Sequence, residues 1–212
     1  MKLTKYGHAA YLIEDASTKI LIDPGSFSTG FDAIENLTAV LYTHNHGDHY
    51  DEAKLRQILS HNSSVQLIAD EDTASAITQS GSEVTVAHEG DKLSVGDLSV
   101  EVIGHDHAQI SRFMPVGKNV GYLVAGKVFY PGDALTLPGR PIEVLLLPVE
   151  GPWTKVGEVI DYLVKVSPKL ALPSHEAVSA VPEMQYGMIG GVATEHKIEW
   201  RPLGSGEAIE VA

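Results

Sequence analysis

Residues Leu41 to Asp51 read LYTHNHGDHYD, and four of the six positions from His44 to His49 are metal-ligand types: His44, His46, Asp48 and His49. The whole chain holds 10 histidines in 212 residues. Neighbouring imidazoles repel one another once they are protonated. A cation that takes their lone pairs removes that repulsion. The chain must therefore fold so that this short segment meets further donors.

Composition narrows what those donors are. There is no cysteine, so disulfides, thiolate zinc sites and cysteine nucleophiles are excluded. A transition-metal site here has to use histidine and carboxylate. The hydrophobic fraction of 43% and charged fraction of 20% are those of an ordinary globular protein. The length fits a single domain over residues 1–212. A formal net charge of -13 argues against a broad nucleic-acid footprint, which needs clustered Lys and Arg. It leaves room for a small anionic substrate held by a metal. The opening MKLTKYGHAAYLIEDASTK has only a short apolar run, so neither a signal peptide nor a membrane span is expected, and the cytoplasm is the expected compartment.

Short Val/Ile/Leu/Tyr-rich runs bounded by Gly, Asp, Pro or Ser dominate the rest: AAYLI, KILID, AVLYT, VQLIA, EVTVA, LSVEVIG, VGYLVAG, KVFYPGD, EVLLLPV and KLALPSH. VGYLVAGKVFYPGD reads as a hairpin turning at Ala125–Gly126. Val156, Val159, Ile160, Leu163 and Val164 follow the spacing of one buried helix face, with Thr154 as its expected cap and Pro168 beyond its end. Asp51 to Leu59, Asp72 to Ser80 (stopped by Gly81) and Pro182 to Glu195 are further helix candidates. Strands with interspersed helices imply a layered α/β domain.

The unusual residues fall at the ends of these runs. AVLYT leads into His44, VEVIG into His105 and His107, KVFYPG into Asp133, and LALPS into His175. In open α/β sheets the C-terminal strand ends are where sites form, so one rim can gather all of them. His44 and His46, two apart, point the same way on an extended strand end. Gly47 allows a sharp turn that aims Asp48 and His49 at a neighbouring point. With His107, His175 and Asp133 added, the donors exceed the four that a tetrahedral zinc ion takes. Two ions roughly 3.5–4 Å apart fit better.

THNHGDH matches the His-x-His-x-Asp-His signature of the metallo-β-lactamase superfamily, and DHA, PGDA and PSHE follow in the family's order, after an early YGHAAYLIE … ILIDPG. The chain thus resembles a small stand-alone bacterial member, similar to metal-dependent hydrolases and to the ascorbate-6-phosphate lactonase-like branch. The resemblance implies a four-layer αββα sandwich with its site at one edge. It implies that His44, His46 and a third histidine hold one divalent ion, that Asp48, His49 and His175 hold another, and that Asp133 bridges them. His105 and His107 share a strand face, and His107 is favoured as the third ligand because Ala108 supplies the small residue the family places after it. Zinc is the default metal, with manganese or iron also compatible with this donor set.

The implied chemistry is a hydrolase in which two cations lower the pKa of a shared water and the resulting hydroxide attacks a small, anionic ester, lactone or phosphoester. Asp48 could orient that hydroxide as well as ligate. His8, in the GH that precedes a strand, is the candidate proton donor to the leaving group; otherwise it is a hydrogen-bonded histidine at a strand start. Asp23 is either a partner to a ligand histidine or a turn residue before Pro24. His61, His88 and His196 are expected on the surface. Trp153 in EGPWTK is expected to pack on the core. Arg112, Lys118 and Arg140 follow ligand positions and could bind a phosphate, although solvated surface charges are the commoner case. Gly25 to Leu37 reads as a flap or an ordinary loop. A non-catalytic metal-binding or sensing scaffold and a nucleic-acid phosphodiesterase of the same superfamily are the competing functions.

Overall fold

A computed structural model describes residues 1–211; Ala212, the last residue of the expected domain, lies outside them. Two seven-stranded sheets face each other. The first contains β1 (Lys2–Lys5), β2 (Tyr11–Asp15), β3 (Thr18–Ile22), β4 (Ala39–Tyr42), β5 (Gln66–Ala69), β6 (Thr85–Val86) and β14 (Ala208–Glu210), in the order β14-β1-β2-β3-β4-β5-β6. The second contains β7 (Lys92–Val95), β8 (Leu98–Ile103), β9 (Gly121–Val124), β10 (Val128–Tyr130), β11 (Val144–Pro148), β12 (Leu170–Ser174) and β13 (Glu199–Trp200), in the order β13-β12-β11-β10-β9-β8-β7. Helices α1 (Glu52–His61) and α2 (Glu71–Gln79) pack on the first sheet, and α3 (Val156–Val166) and α4 (Pro182–Glu195) on the second.

Strand period 2 explains the four layers. Side chains alternate faces along a strand, so a strand buried on both sides reads as a continuous apolar run. Ile20 and Ile22 of β3, Leu41 of β4, and Val144 and Leu146 of β11 point into the core between the sheets. Their neighbours Leu21, Val40 and Tyr42 meet α1 and α2, while Leu145 and Leu147 meet α3 and α4. Each fully buried Leu or Ile contributes about 1.5–3 kcal/mol. Three such cores in series yield the αββα sandwich that the sequence led us to expect.

The helices match their expected spans to within two residues. Asp51 caps α1, its Oδ1 accepting from Lys54 N–H at 3.0 Å. Asp70 caps α2 by accepting from the Asp72 and Thr73 amides, which starts that helix at Glu71. Thr154 does not cap α3: the backbone N–H of Lys155 instead donates to the Glu158 carboxylate at 3.1 Å. The β9–β10 hairpin turns where expected, with Ala125 (φ 53°) and Gly126 (φ 64°) both left-handed as a primed turn requires.

Strand direction places the site. β1, β3 and β4 run the same way in the first sheet. β8, β10, β11 and β12 run the same way in the second. The segments leaving these seven strands carry His8, Asp23, His44 to His49, His107, Asp133, Trp153 and His175. All of them gather at one edge of the sandwich.

Candidate metal centre

The loop after β4 is a tight turn, in which the amides of His49 and Tyr50 both donate to His46 O (2.9 and 2.8 Å). That turn folds Asp48 and His49 back toward His44. Gly25 lies against it: a Cβ there would sit 2.0 Å from Asp48 O, so this close approach of two backbones admits only glycine. The segment from Gly25 onward is no detached flap. Ser28 and Phe31 are buried, and Ser28 Oγ accepts from the Ala9 and Ala10 amides.

Two clusters result, each with donor atoms within 4.8 Å of one another: His44, His46, His107 and Asp133; and His8, Asp48, His49 and His175. Asp133 joins them. Its Oδ2 lies 3.0 Å from His175 Nε2, 3.4 Å from His107 Nε2 and 3.7 Å from His44 Nε2, while its Oδ1 lies 3.2 Å from His49 Nε2.

Hydrogen bonds behind the rings fix their tautomers. His49 Nδ1–H donates to Asp23 Oδ2 at 2.7 Å. His107 Nδ1–H donates to the carbonyl of Ala108 at 2.6 Å. Thr43 gives its hydroxyl proton to Asp23 Oδ2 at 2.6 Å, so its oxygen accepts from His44 Nδ1–H at 3.0 Å. All three rings therefore turn Nε2 toward Asp133. This arrangement, a far nitrogen held by a carboxylate, carbonyl or hydroxyl, is how ligand histidines are oriented in metal sites. Asp23 is thus a partner to His49 as well as the residue that enters the turn before Pro24.

Charge is concentrated and unbalanced. Burial, followed by the neighbouring His49, holds His44 well below the ordinary imidazole range. Burial and His107 lower His46. Burial opposes protonation of His49 and His175 too, but the carboxylates together outweigh it, Asp133 with Asp23 at His49 and Asp133 with Asp48 at His175, raising His49 well above its usual value and His175 to about 9. Burial would raise both carboxyls; instead His49 and His175 hold Asp133 well down, and hydrogen bonding to His175 and His8 lowers Asp48.

Several buried polar atoms in the cluster find no hydrogen-bond partner: His49 Nε2, His107 Nε2, Asp133 Oδ1 and both ring nitrogens of His175. Unsatisfied buried polar atoms are rare and each needs a reason. Here they converge from three strand ends on one carboxylate. A divalent cation accepts lone pairs from His49 Nε2, His107 Nε2, His175 Nε2 and Asp133, so the residues present fit metal ions.

The structure separates His107 from His105. His107 is buried and faces Asp133, whereas the His105 side chain is 62% exposed and pairs with Glu89 at 2.9 Å. His61, His88 and His196 lie on the surface, as expected. Arg140 is held by Glu101 through two bonds of 3.0 and 2.9 Å. Arg112, on the loop leaving His107, stacks 4.6 Å from the Phe113 ring.

Sequence reasoning missed three supports. Trp153 is buried as expected, but its Nε1–H also donates to Asp133 Oδ2 at 3.0 Å. Asn119 Oδ1 accepts from the Asp133 amide at 2.9 Å and its Nδ2 donates to Pro131 O at 2.8 Å, bracing the turn that presents the carboxylate. Lys5 is fully buried; it pairs with Glu176 at 2.8 Å and donates to Pro173 O, on either side of His175. The tryptophan was visible in EGPWTK; Asn119 and Lys5 leave no local signal.

Residues 2–175 match the beta-lactamase superfamily domain. Protein Rv0786c of Mycobacterium tuberculosis is 41% identical over 185 residues, 85% of this chain and 86% of its own length. A UPF0173 metal-dependent hydrolase of Thermococcus kodakarensis is 31% identical over 195 residues, 82% of this chain and 84% of its own. Among solved structures, Igni18, a metallo hydrolase from Ignicoccus hospitalis, superposes with a TM-score of 0.75 at 22% identity, covering 100% of this chain and 99% of that one. The motif spread over four strand ends, the paired clusters they build and the match over most of the sequence agree: the chain belongs to the β-lactamase superfamily of metal-dependent hydrolases.

Proposed function

We propose that this hydrolase works through two divalent cations and opens a small ester, lactone or phosphoester. His44, His46 and His107 would hold one cation, Asp48, His49 and His175 the other, and Asp133 would reach both. The observation that carries this reading is the convergence of unpartnered donors from His49, His107 and His175 on the two oxygens of Asp133. When bound, two such cations lower the pKa of a shared water from about 15.7 toward about 7 and take up charge on the attacked oxygen.

The chain's own residues supply orientation. Asp23, Thr43 and Ala108 hold the Nδ1 side of His49, His44 and His107, so each ring aims its Nε2 at the site without turning. Trp153 and the Asn119-braced turn hold Asp133 in register. Zinc remains the proposed metal, with manganese or iron compatible with the same donors. Arg112 and Lys118, which follow His107 in the chain, are the cations we propose for an anionic group, since Arg140 is committed to Glu101. A lactone is the first ester to test, on the likeness of the motifs. The strong negative charge weighs against nucleic acid. The cytoplasm is the proposed setting; among the described residues no helix is long and apolar enough to cross a membrane.

Metal analysis combined with a panel of lactones and phosphodiesters tests the reading. About two metals per chain and turnover of at least one ester class are expected. Asp133→Ala should release both metals together, and loss of only one shows that this carboxylate does not join the sites. Full metal content with no turnover on any ester favours the scaffold reading.

A further inference from the structure

His8 reaches the same cluster as the proposed ligands but presents the opposite face of its chemistry. Its Nε2 lies 3.1 Å from Asp48 Oδ2, and by distance alone it completes a four-donor set with Asp48, His49 and His175. Ligand, proton donor and hydrogen-bonding support all fit that distance. The other ring nitrogen decides between them.

The backbone N–H of Ala177 points at His8 Nδ1 from 3.0 Å. An amide nitrogen only donates, so Nδ1 carries the lone pair. The neutral ring then keeps its proton on Nε2, the nitrogen that faces Asp48. His44, His49 and His107 are arranged the other way round, with Nδ1–H donating outward and Nε2 turned inward.

Resting on the two-cation reading above, we infer that His8 is a positioning residue for Asp48, neither a metal ligand nor the source of the leaving group's proton. A protonated Nε2 has no lone pair for a cation. Moving the proton to Nδ1 would set it against the Ala177 N–H inside a site where the His8 side chain is 0% exposed. The same bond blocks the donor role, because a second ring proton would have to occupy Nδ1. A neutral imidazole is also a far weaker acid than an imidazolium, so its Nε2 proton is not one to give a leaving group. What remains is a fixed N–H aimed at the carboxylate.

The ring is well held for that task. The Phe27 ring lies 5.5 Å away edge-on, and the His175 ring lies 4.2 Å away. The main-chain oxygen of His8 accepts from the His175 amide at 2.8 Å, at the point where His175 adopts φ 65°. One residue thus sets the Asp48 carboxylate with its side chain and registers the His175 loop with its backbone.

The test is nitrogen-15 spectroscopy of the histidine rings before and after loading with cadmium-113. His8 should show a protonated Nε2 and a bare Nδ1 in both states, with no coupling to cadmium. His49 and His175 should show that coupling. Cadmium coupling to the His8 ring, or a protonated Nδ1, overturns the inference. Two variants add a second measure. His8→Gln retains an N–H donor and should keep cadmium affinity within about threefold of wild type. His8→Ala should weaken it about 10–100-fold, with cadmium per chain at saturation unchanged. Loss of one cadmium at saturation in both variants would make His8 a ligand. Disappearance of the alkaline limb of the pH–kcat profile in both would make it the proton donor. The two-cation reading fails separately, if the wild-type chain itself saturates with fewer than two cadmium ions; the tautomer in the unloaded protein is read independently of that result.

Discussion

Trp153 Nε1–H donates to Asp133 Oδ2 at 3.0 Å, and both side chains are buried. The carboxylate that faces four histidines thus has one oxygen fixed by a neutral donor that cannot itself ligate a metal. Trp153→Phe keeps the ring and removes the N–H. Hydrogen-bond partners of ligands typically govern 10–100-fold of metal affinity. Chelator competition with the Trp153→Phe protein should show a loss in that range, with the second tryptophan, Trp200, left to report the fold. Wild-type affinity would mean that Asp133 is held by Asn119 and its turn alone.

Asp23 has three donors on two oxygens: the Thr43 amide at 2.8 Å on Oδ1, and the Thr43 hydroxyl at 2.6 Å and His49 Nδ1 at 2.7 Å on Oδ2. In Asp23→Asn one oxygen becomes an NH2 group. Whichever way the amide turns, a donor then faces a donor. Leaving a buried donor unsatisfied costs about 1–3 kcal/mol. The variant should lose stability in that range in urea and bind metal about 10–100-fold more weakly, through a misoriented His49. Undiminished affinity would show that the turn geometry, rather than this carboxylate, aims His49.

The sandwich was legible because burial on both faces writes itself as continuous apolar runs, as in KILID and EVLLLPV. The strands that escaped, β1, β7, β13 and β14, have sequences KLTK, KLSV, EW and AIE, too short and too polar to show a period. The ligands were legible because each lies just past a strand end, where chain order predicts shared space. His105 and His107 could not be separated by spacing, since two residues apart on an extended run they share a face; the fold buries His107 against Asp133 and leaves His105 exposed beside Glu89. The supports were mostly invisible. Trp153, Asn119 and Lys5 act across sequence distances of 20, 14 and 171 residues, and no local pattern encodes such contacts.

Protonation sets a pH trend for the metal-free protein. His175 is raised to about 9 from an ordinary value near 6.5. A base raised on folding adds stability that is complete below its unfolded value and lost as pH climbs through its folded value. His49 shifts the same way. Asp48 and Asp133 are lowered, so their contribution is present above about pH 3.9 and lost on acidification. His8, His44 and His46 shift the opposite way to His175, so the penalty of protonating them in the fold is relieved as pH rises toward about 6.5. The metal-free protein should therefore be most stable near about pH 6.5, and its Tm should fall from about pH 6.5 to 9, by roughly 2–4 °C for each kcal/mol lost in a chain of this size. Metal binding needs deprotonated imidazoles, so the loaded protein should gain stability over the same interval. Calorimetric scans with and without chelator decide the matter: a flat or rising Tm without metal contradicts the charge arrangement.

Lys5 tests how the fold holds His175. Its ammonium is buried against Glu176 and Pro173 O, and the Tyr11 hydroxyl donates to the same carbonyl at 2.6 Å. Burial lowers the Lys5 pKa and raises that of Glu176, so each ion is strained by its setting. Breaking one partner of a buried pair costs about 3–5 kcal/mol, whereas replacing both with apolar residues can be neutral. The Glu176 side chain keeps 16% of its exposure, which places Lys5→Met at the low end, about 3 kcal/mol by urea unfolding. Adding Glu176→Leu should return stability to within about 1 kcal/mol of wild type. Metal affinity should not recover with it. The left-handed His175 lies between the two residues that Lys5 grips, and an apolar pair cannot hold the Pro173 carbonyl and Glu176 together. A double variant that regains stability but binds cadmium more weakly than wild type places Lys5 in the positioning of the metal centre; full recovery of both would reduce it to packing.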